Sequence, residues 1–326
     1  AWVPRRAGDR GAVDAGALPG LLPGGSSVYD AAVRAELERL WGCEAGTIPQ
    51  SAGRDTAGIL RAAADGELGG LLVGGVDLDD LADPAAAREA LRRVGFVVSL
   101  ELRHSSVTEY ADVVLPVAVA AEKGGTYYDW EGRQRPFVAA LLEAGTLRDA
   151  QVLDALAQEL GVSLGAVDLV TLRESFATAA GFAGLARAES VFPRVAGYIR
   201  TPDPGEAILA TWHHLLDSGA LQVGEQHLAG TAPRPVARLS SQTADELGLS
   251  TAQSLVVSNS NGAITLPWVA TDMPPRVVWL PTNSPGSAVR RDLAADSGDV
   301  VRLAPESSSS DNFVEVAEEA EGVNRR

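Results

Sequence analysis

Phe96-Val97-Val98-Ser99-Leu100 is the stretch that decides the fold. Nearly every position is apolar, so a strand here buries both of its faces. That pattern belongs to a parallel sheet covered by helices, not to a half-solvated antiparallel one. Outward from it the pattern repeats. Upstream, Leu71-Leu72-Val73 is a short apolar run closed by Gly74-Gly75. Asp83-Pro84 then opens a helix through Arg93, with Asp as cap and Pro at the first helical position. Downstream, Asp112-Val113-Val114-Leu115-Pro116 is a third run. Apolar strands alternating with helical segments predict an α/β domain with right-handed crossovers.

Farther out, the stretch up to Ser27 is rich in Gly and Pro and reads as loop. Helices are expected over Ser27 to Trp41, over Thr56 to Glu67 with Asp55 as cap, and over Leu147 to Leu160. Thr126 to Phe137 reads as a loop or hairpin, and residues 175–188, rich in Ala and Gly, as a helix or loop against the core. The character changes at Thr201-Pro202-Asp203-Pro204-Gly205, a linker signal, after which Ala207 to Leu216 is a helix candidate. Short β-like runs follow: Val236 to Leu239, Ser254 to Val257, Ala263 to Trp268, Val277 to Leu280 and Asp299 to Leu303. Turns such as Asn261-Gly262 separate them, and Ala244 to Gly248 is a short helix between. This spacing predicts a small β-barrel. The organisation expected is an α/β domain over 1–200 (incomplete at its N-terminal side), a linker and helix over 201–232, a barrel over 233–304, and a disordered acidic tail over 305–326. The chain opens Ala1-Trp2-Val3-Pro4 without Met, and is read as lying inside a longer polypeptide.

Charge narrows the partners. With 27 Lys and Arg against 43 Asp and Glu, the 326-residue chain carries a net charge of −16. Nucleic acid and anionic membrane surfaces would repel it. The single cysteine, Cys43, can form no intrachain disulfide and cannot supply the thiolates of an iron–sulfur cluster or a Cys-rich zinc site. It reads as a cytosolic sequence. The longest uncharged run, Leu247 to Thr271, is too broken by polar residues to span a membrane.

The glycines contain no Gly-x-Gly, so dinucleotide and kinase fingerprints fail, and there is no P-loop, no His-Glu-x-x-His and no Gly-x-Ser-x-Gly. The four histidines, His104, His213, His214 and His227, offer no chelating spacing. No metal ligand and no catalytic residue is assigned. Two segments after the expected strands remain. One is Glu101 to Pro116; the other is Ala121-Glu122-Lys123-Gly124-Gly125-Thr126-Tyr127-Tyr128-Asp129-Trp130-Glu131-Gly132-Arg133. Ligands of parallel sheets sit beyond the carboxyl ends of the strands, and glycines let backbone approach them. The plainer alternative is a charged surface turn with a structural ion pair.

Ala111-Asp112-Val113-Val114-Leu115-Pro116, then Glu122-x-x-Gly125-Thr126, then Glu131-Gly132-Arg133 resemble the pattern of the molybdopterin oxidoreductase family. Gly74-Gly75-Val76-Asp77 stands where that family has a Gly-x-Asn-Pro turn. Ala244 with Leu247-Gly248-Leu249, Leu255-Val256-Val257, Gly262 and Gly298-Asp299-Val300-Val301 resemble its last domain. The resemblance implies a Rossmann-like parallel-sheet domain followed by a six-stranded double-psi β-barrel that helps hold the dinucleotide end of the cofactor. Within the family, the opening Trp2 to Ala12, Asp129 to Arg133 and Leu280-Pro281-Thr282-Asn283-Ser284-Pro285-Gly286 resemble the branch found in bacterial NADH-quinone oxidoreductase (complex I), as its G-type subunit in the actinobacterial form. That likeness implies iron–sulfur clusters (2Fe-2S and 4Fe-4S) in an N-terminal half outside this chain, and no molybdopterin. It implies as partners that half and the other subunits of the complex's peripheral arm, at the cytoplasmic face of the plasma membrane, with no direct membrane insertion.

Gly74, Gly75, Asp77, Glu101, Glu122, Gly124, Thr126, Glu131, Gly132 and Arg133 are then the lining of a vestigial pocket, expected to hold no cofactor. Val76 and Asp77 replace the Asn and Pro of the family turn, and Asp77, Asp79, Asp80 and Asp83 would crowd its mouth and repel phosphates. Two alternatives stay open: an active molybdenum enzyme of the formate dehydrogenase or nitrate reductase type, whose cofactor these same residues line, and a free-standing small-molecule binding module.

Overall fold

Leu71–Gly74 (β1), Val97–Glu101 (β2) and Val113–Pro116 (β3) form the central sheet of the first unit, in the order β1-β2-β3. All pairs are parallel, with Leu72 opposite Val98 and Val98 opposite Val113. The chain divides into two compact units, 1–197 and 198–326, and the computed structural model describes residues 8–142, 145–165, 168–182, 201–250 and 253–306. The opening Trp2 to Arg6 and the tail beyond residue 306 lie outside the described residues.

Helix α1 (Ala31–Trp41) starts later than its apolar spacing suggests. Asp30 is the residue that caps it, accepting from the amides of Ala32 and Val33 at 2.9 and 3.2 Å, and Gly42 ends it at φ 67°. Helix α2 (Thr56–Ala64) is capped by Asp55 and α3 (Pro84–Arg93) by Asp83, whose carboxylate accepts from Ala86 N at 2.9 Å. Ala63 of α2 and Ala87, Ala90 and Leu91 of α3 bury one face of the sheet through Val97, Leu71 and Val73. The crossover from β2 to β3 carries only a 3-10 turn, Thr108–Tyr110, instead of a full helix. On the opposite face, helix α4 (Asp149–Glu159) packs Val152 and Leu156 on Leu100, Val98 and Leu115. The row beside it is left open: Leu72 and Val113 stay exposed, so the expected covering of both faces is incomplete among the described residues.

The segment Thr126 to Phe137 is a hairpin, Gly125–Tyr128 (β4) with Gln134–Phe137 (β5). Helix α5 (Leu169–Phe182) packs near it, and Asp168 caps the helix by accepting from the amides of Val170 and Thr171, both at 2.9 Å.

Beside a small two-stranded pair of Asn283–Ser284 with Ser287–Ala288, the second unit is built on a seven-stranded sheet. Its strands are Glu206–Trp212 (β6), Ala237–Leu239 (β7), Leu255–Ser258 (β8), Ala263–Leu266 (β9), Trp268–Ala270 (β10), Val277–Pro281 (β11) and Val300–Pro305 (β12), in the order β9-β8-β12-β6-β11-β7-β10. The pairs β6·β11 and β7·β10 are parallel and the rest antiparallel. The two ends of this order, β9 and β10, are consecutive in the chain with only Pro267 between them. The sheet therefore returns on itself, the double-psi β-barrel of the resemblance. Helix α6 (Ser241–Glu246) and helix α7 (Val289–Leu293) pack into it.

Two expectations change here: the first is the stretch up to Ser27, read as loop, which holds the short helix Asp9–Asp14 and the paired segments Leu21–Leu22 and Ser26–Ser27. Ala207 to Leu216, read as a helix, is instead strand β6: Ala207, Leu209 and Thr211 are buried while the residues between them are less so, a period of two. The five β-like runs become seven segments, because the run Ala263 to Trp268 breaks at Pro267, which cannot donate to a ladder, and β6 joins; with β9 and β10 counted as one strand broken at that proline, six strands remain. Gly262 is dictated by packing: a Cβ there would collide with the carbonyl oxygen of Asp292.

Candidate functional site

The ten residues singled out from sequence fall into two groups. Gly74, Gly75, Asp77 and Glu101 gather at the carboxyl ends of β1 and β2. Gly74 lies opposite Leu100, and the Gly75 amide donates to the Leu100 carbonyl at 3.2 Å. Gly75 has φ 61°, a left-handed conformation that lets the chain leave the sheet sharply. Glu101 is buried, and its Oε1 accepts from Ser105 Oγ at 3.1 Å.

The acidic residues beyond β1 do not form a free anionic mouth. Asp77 accepts from Asp79 N at 3.0 Å and so starts the 3-10 turn Leu78–Asp80. Asp79 pairs with Arg88 of α3 at 2.8 Å, and Asp83 is the α3 cap. Carboxylates at helix starts satisfy amides that have no other partner. Their density reflects two successive helix starts.

The second group belongs to the β4–β5 hairpin and its approach. Glu122 ends a 3-10 turn, and its Oε2 accepts from Thr146 Oγ1 at 2.9 Å. The neighbouring Lys123 is paired with Asp149 at the start of α4. Asp129 holds the tight turn: its Oδ1 accepts from Glu131 N at 3.0 Å and from Arg133 N at 2.9 Å, and Gly132 takes φ 81°. The Arg133 amide, then the Glu131 amide and the guanidiniums of Arg135 and Arg133, hold the Asp129 carboxyl below its ordinary value. Glu131 and Arg133 pair with each other at 2.6 Å on the surface.

Gly124, Gly125 and Thr126 meet helix α5. A Cβ on Gly124 would run into Leu169 Cδ1 and lie 3.2 Å from the Phe137 carbonyl oxygen. A Cβ on Gly125 would lie 2.7 Å from the Phe137 ring. Arg173 donates from Nε to Thr126 Oγ1 at 3.0 Å and from Nη2 to the Gly125 carbonyl at 2.7 Å, with a longer contact to the Phe137 carbonyl at 3.5 Å. Phe176, one turn on, meets the Tyr128 ring edge-on at 5.8 Å. What closely approaches Gly124 and Gly125 is the chain's own helix and the Phe137 strand. Leu169 and Arg173 carried no motif in the sequence, and Arg173 lies 47 residues from its partner Thr126.

The hydrogen bonds and ion pairs described for these residues run within each group or to framework residues, and none joins the strand-end group to the hairpin group. Among the described residues no set of three or more His, Cys, Asp or Glu could hold a metal ion. His213 leans on Asp217 at 3.0 Å and His214 on the Trp279 ring at 5.5 Å. In the barrel, the buried Thr282 and Thr211 hydroxyls lie 2.8 Å apart, and Ser287 Oγ donates to the Pro281 carbonyl at 2.8 Å. The polar stretch after β11 is thus consumed by the barrel itself. A cavity of about 500 Å³ opens elsewhere, lined by Arg54, Asp55, Arg61, Asp65 and Glu67.

Comparison with known proteins agrees with this architecture. Residues 7–159 match the pattern "Molybdopterin oxidoreductase", and residues 211–312 match "Molydopterin dinucleotide binding domain". The chain belongs to the molybdopterin oxidoreductase family. It is 51% identical over 308 residues to the G-type subunit of NADH-quinone oxidoreductase from Mycobacterium tuberculosis, which covers 93% of this chain and 38% of that protein. To the corresponding protein of Streptomyces coelicolor it is 49% identical over 309 residues, covering 93% of this chain and 36% of that protein. The chain thus spans under two fifths of the length of these relatives. Among solved structures, acetylene hydratase from Pelobacter acetylenicus superposes with a TM-score of 0.50 at 15% identity, over 84% of this chain and 50% of that one, a likeness of fold alone. This member of the molybdopterin oxidoreductase family therefore keeps the family's framework, with helix α5 packed against its hairpin glycines.

Proposed function

We propose that this chain is a non-catalytic structural segment of the peripheral arm of a proton-translocating NADH-quinone oxidoreductase. In this reading the rest of the subunit holds the iron–sulfur clusters that pass electrons from NADH toward quinone. The partners are that remaining part and neighbouring subunits of the arm, at the cytoplasmic face of the plasma membrane. No helix among the described residues is long and apolar enough to cross a membrane, which suits a place in the arm.

One observation carries the proposal: identity of 51% and 49% to the two actinobacterial proteins extends over nearly the whole chain. The residues do not fit the pterin cofactor of the family, because Leu169 takes the space beside Gly124 and Arg173 engages Thr126 and the Gly125 carbonyl. The packing of α5 on the hairpin supports the same assignment. Elemental analysis of the purified, assembled complex tests it. Iron with no stoichiometric molybdenum is expected. One molybdenum per complex would overturn the scaffold reading in favour of an active molybdenum enzyme.

A further inference from the structure

The loop before the hairpin contains a glycine that its own backbone does not require. Gly124 has no left-handed φ, so any L-residue could adopt its conformation. What forbids a side chain there is Leu169 Cδ1, with the Phe137 carbonyl oxygen 3.2 Å from the Cβ position on the other side. Leu169 is the first residue of α5, and Asp168 fixes that helix start through two amides and the Thr171 hydroxyl at 2.5 Å. One turn along the same helix, Arg173 sends two nitrogens to two consecutive residues of the hairpin, Gly125 and Thr126. A planar guanidinium with a fixed fork of donors suits this two-point contact, which an ammonium could not reproduce.

We infer that helix α5 is an internal occupant of the hairpin's glycine cradle, with Leu169 filling the space beside Gly124 and Arg173 acting as the positioning residue that fixes β4 and β5. The inference rests on the scaffold reading, in that the cradle serves the chain's own helix and no cofactor. The helix stands in for a ligand: it supplies an apolar wedge where the backbone opens and a cation where carbonyl and hydroxyl oxygens converge. Charge-assisted hydrogen bonds of this kind are the stronger ones, and losing one leaves its acceptors dependent on water.

The test uses the full-length subunit in its assembled complex, with hydrogen–deuterium exchange read over residues 125–137 and, as an internal reference, over the barrel strands. Arg173→Ala is expected to speed exchange in the hairpin by about tenfold while the barrel is unchanged. Arg173→Lys should fall between wild type and Ala, because an ammonium lacks the guanidinium's fixed fork of donors. A second pair of variants keeps the inference falsifiable if Arg173→Ala fails to assemble. Gly124→Ala alone should loosen the hairpin, and adding Leu169→Ala should return exchange to the level of Leu169→Ala alone, the non-additivity of two groups competing for one space. The inference is overturned if Arg173→Ala leaves hairpin exchange unchanged, if exchange rises equally in the barrel, or if the Gly124 and Leu169 effects simply add. These exchange data are independent of the molybdenum measurement, so failure of the occupant and failure of the scaffold reading are told apart.

Discussion

In the barrel unit, the first and last strands of the sheet order are joined through Pro267, and Leu239, Leu255 and Leu280 are wholly out of solvent within one continuous core. In the sheet unit, among the described residues, three parallel strands leave both sheet edges unpaired by any named strand, Leu72 stays 54% exposed, and the core is split into separate clusters around α1, α3 and α4. Closure removes strand edges and lets every inward residue meet others. An open parallel sheet depends on helices and further strands laid over it. Among the described residues the barrel is therefore the more completely enclosed half of the chain, and the sheet unit the more open one.

The sharpest way to break this comparison is to cut apolar bulk from matched positions. Leu280→Ala in β11 removes a side chain with no exposed surface and should cost about 2–5 kcal/mol. Leu72→Ala in β1 should change the stability of the chain by less than about 1 kcal/mol, since half of that side chain already faces water. Denaturant unfolding of the chain measures both. A large loss from Leu72→Ala would mean that the sheet is covered as fully as the barrel, and the contrast would fall.

Acid should separate the two halves by a smaller margin. Glu38 accepts from the amides of Ile48 and Gly46, Asp129 from those of Arg133 and Glu131, and Asp168 from the Thr171 hydroxyl and amide, and these contacts hold all three carboxyls below their ordinary values. All three lie in the sheet unit. Among the described residues of the barrel unit only Glu246, beside Arg276 and Gln242, is lowered clearly. A carboxyl with a depressed folded value contributes its stability in full above its unfolded value, near 4, and loses it as pH falls through the lower one. Between about pH 4 and 2, exchange should therefore rise first in the Asp129 turn, the α5 start and the loop after α1, with the barrel strands following. Equal protection in both units across that range would count against the ordering.

Much of this architecture could be read from residue types alone, because apolar runs such as Phe96 to Leu100 and turn residues such as Asp83-Pro84 speak locally. Strand β6 could not be read the same way. Its Ala207, Leu209 and Ala210 suit a helix, and only the burial of alternate residues against β11 and β12 makes it a strand. The candidate site was legible in part. A loop or hairpin over Thr126 to Phe137 could be read locally, but that Leu169 and Arg173 meet its glycines is a long-range fact that no local spacing contains. Asp77, Asp79 and Asp83 misled for a related reason: a carboxylate that caps a helix and one that lines a pocket are the same letter, and only the amide in front of it decides.

The smallest expected effect comes from Arg133, on the same hairpin that Arg173 holds from behind. Arg133 pairs with Glu131 two residues away, and the arginine side chain is 60% exposed. The turn between them is already fixed by Asp129 through main-chain amides and by the Gly132 conformation. Exposed pairs contribute about 0–1 kcal/mol, so Arg133→Ala should barely move stability, and Glu122→Ala, which loses only the Thr146 hydroxyl, should behave alike. In the assembled complex, NADH-to-quinone turnover per complex should stay at the wild-type value for both variants, whatever small change assembly shows. A fall in turnover with assembly intact would mean that these side chains serve the chemistry directly, and the hairpin could no longer be counted as framework.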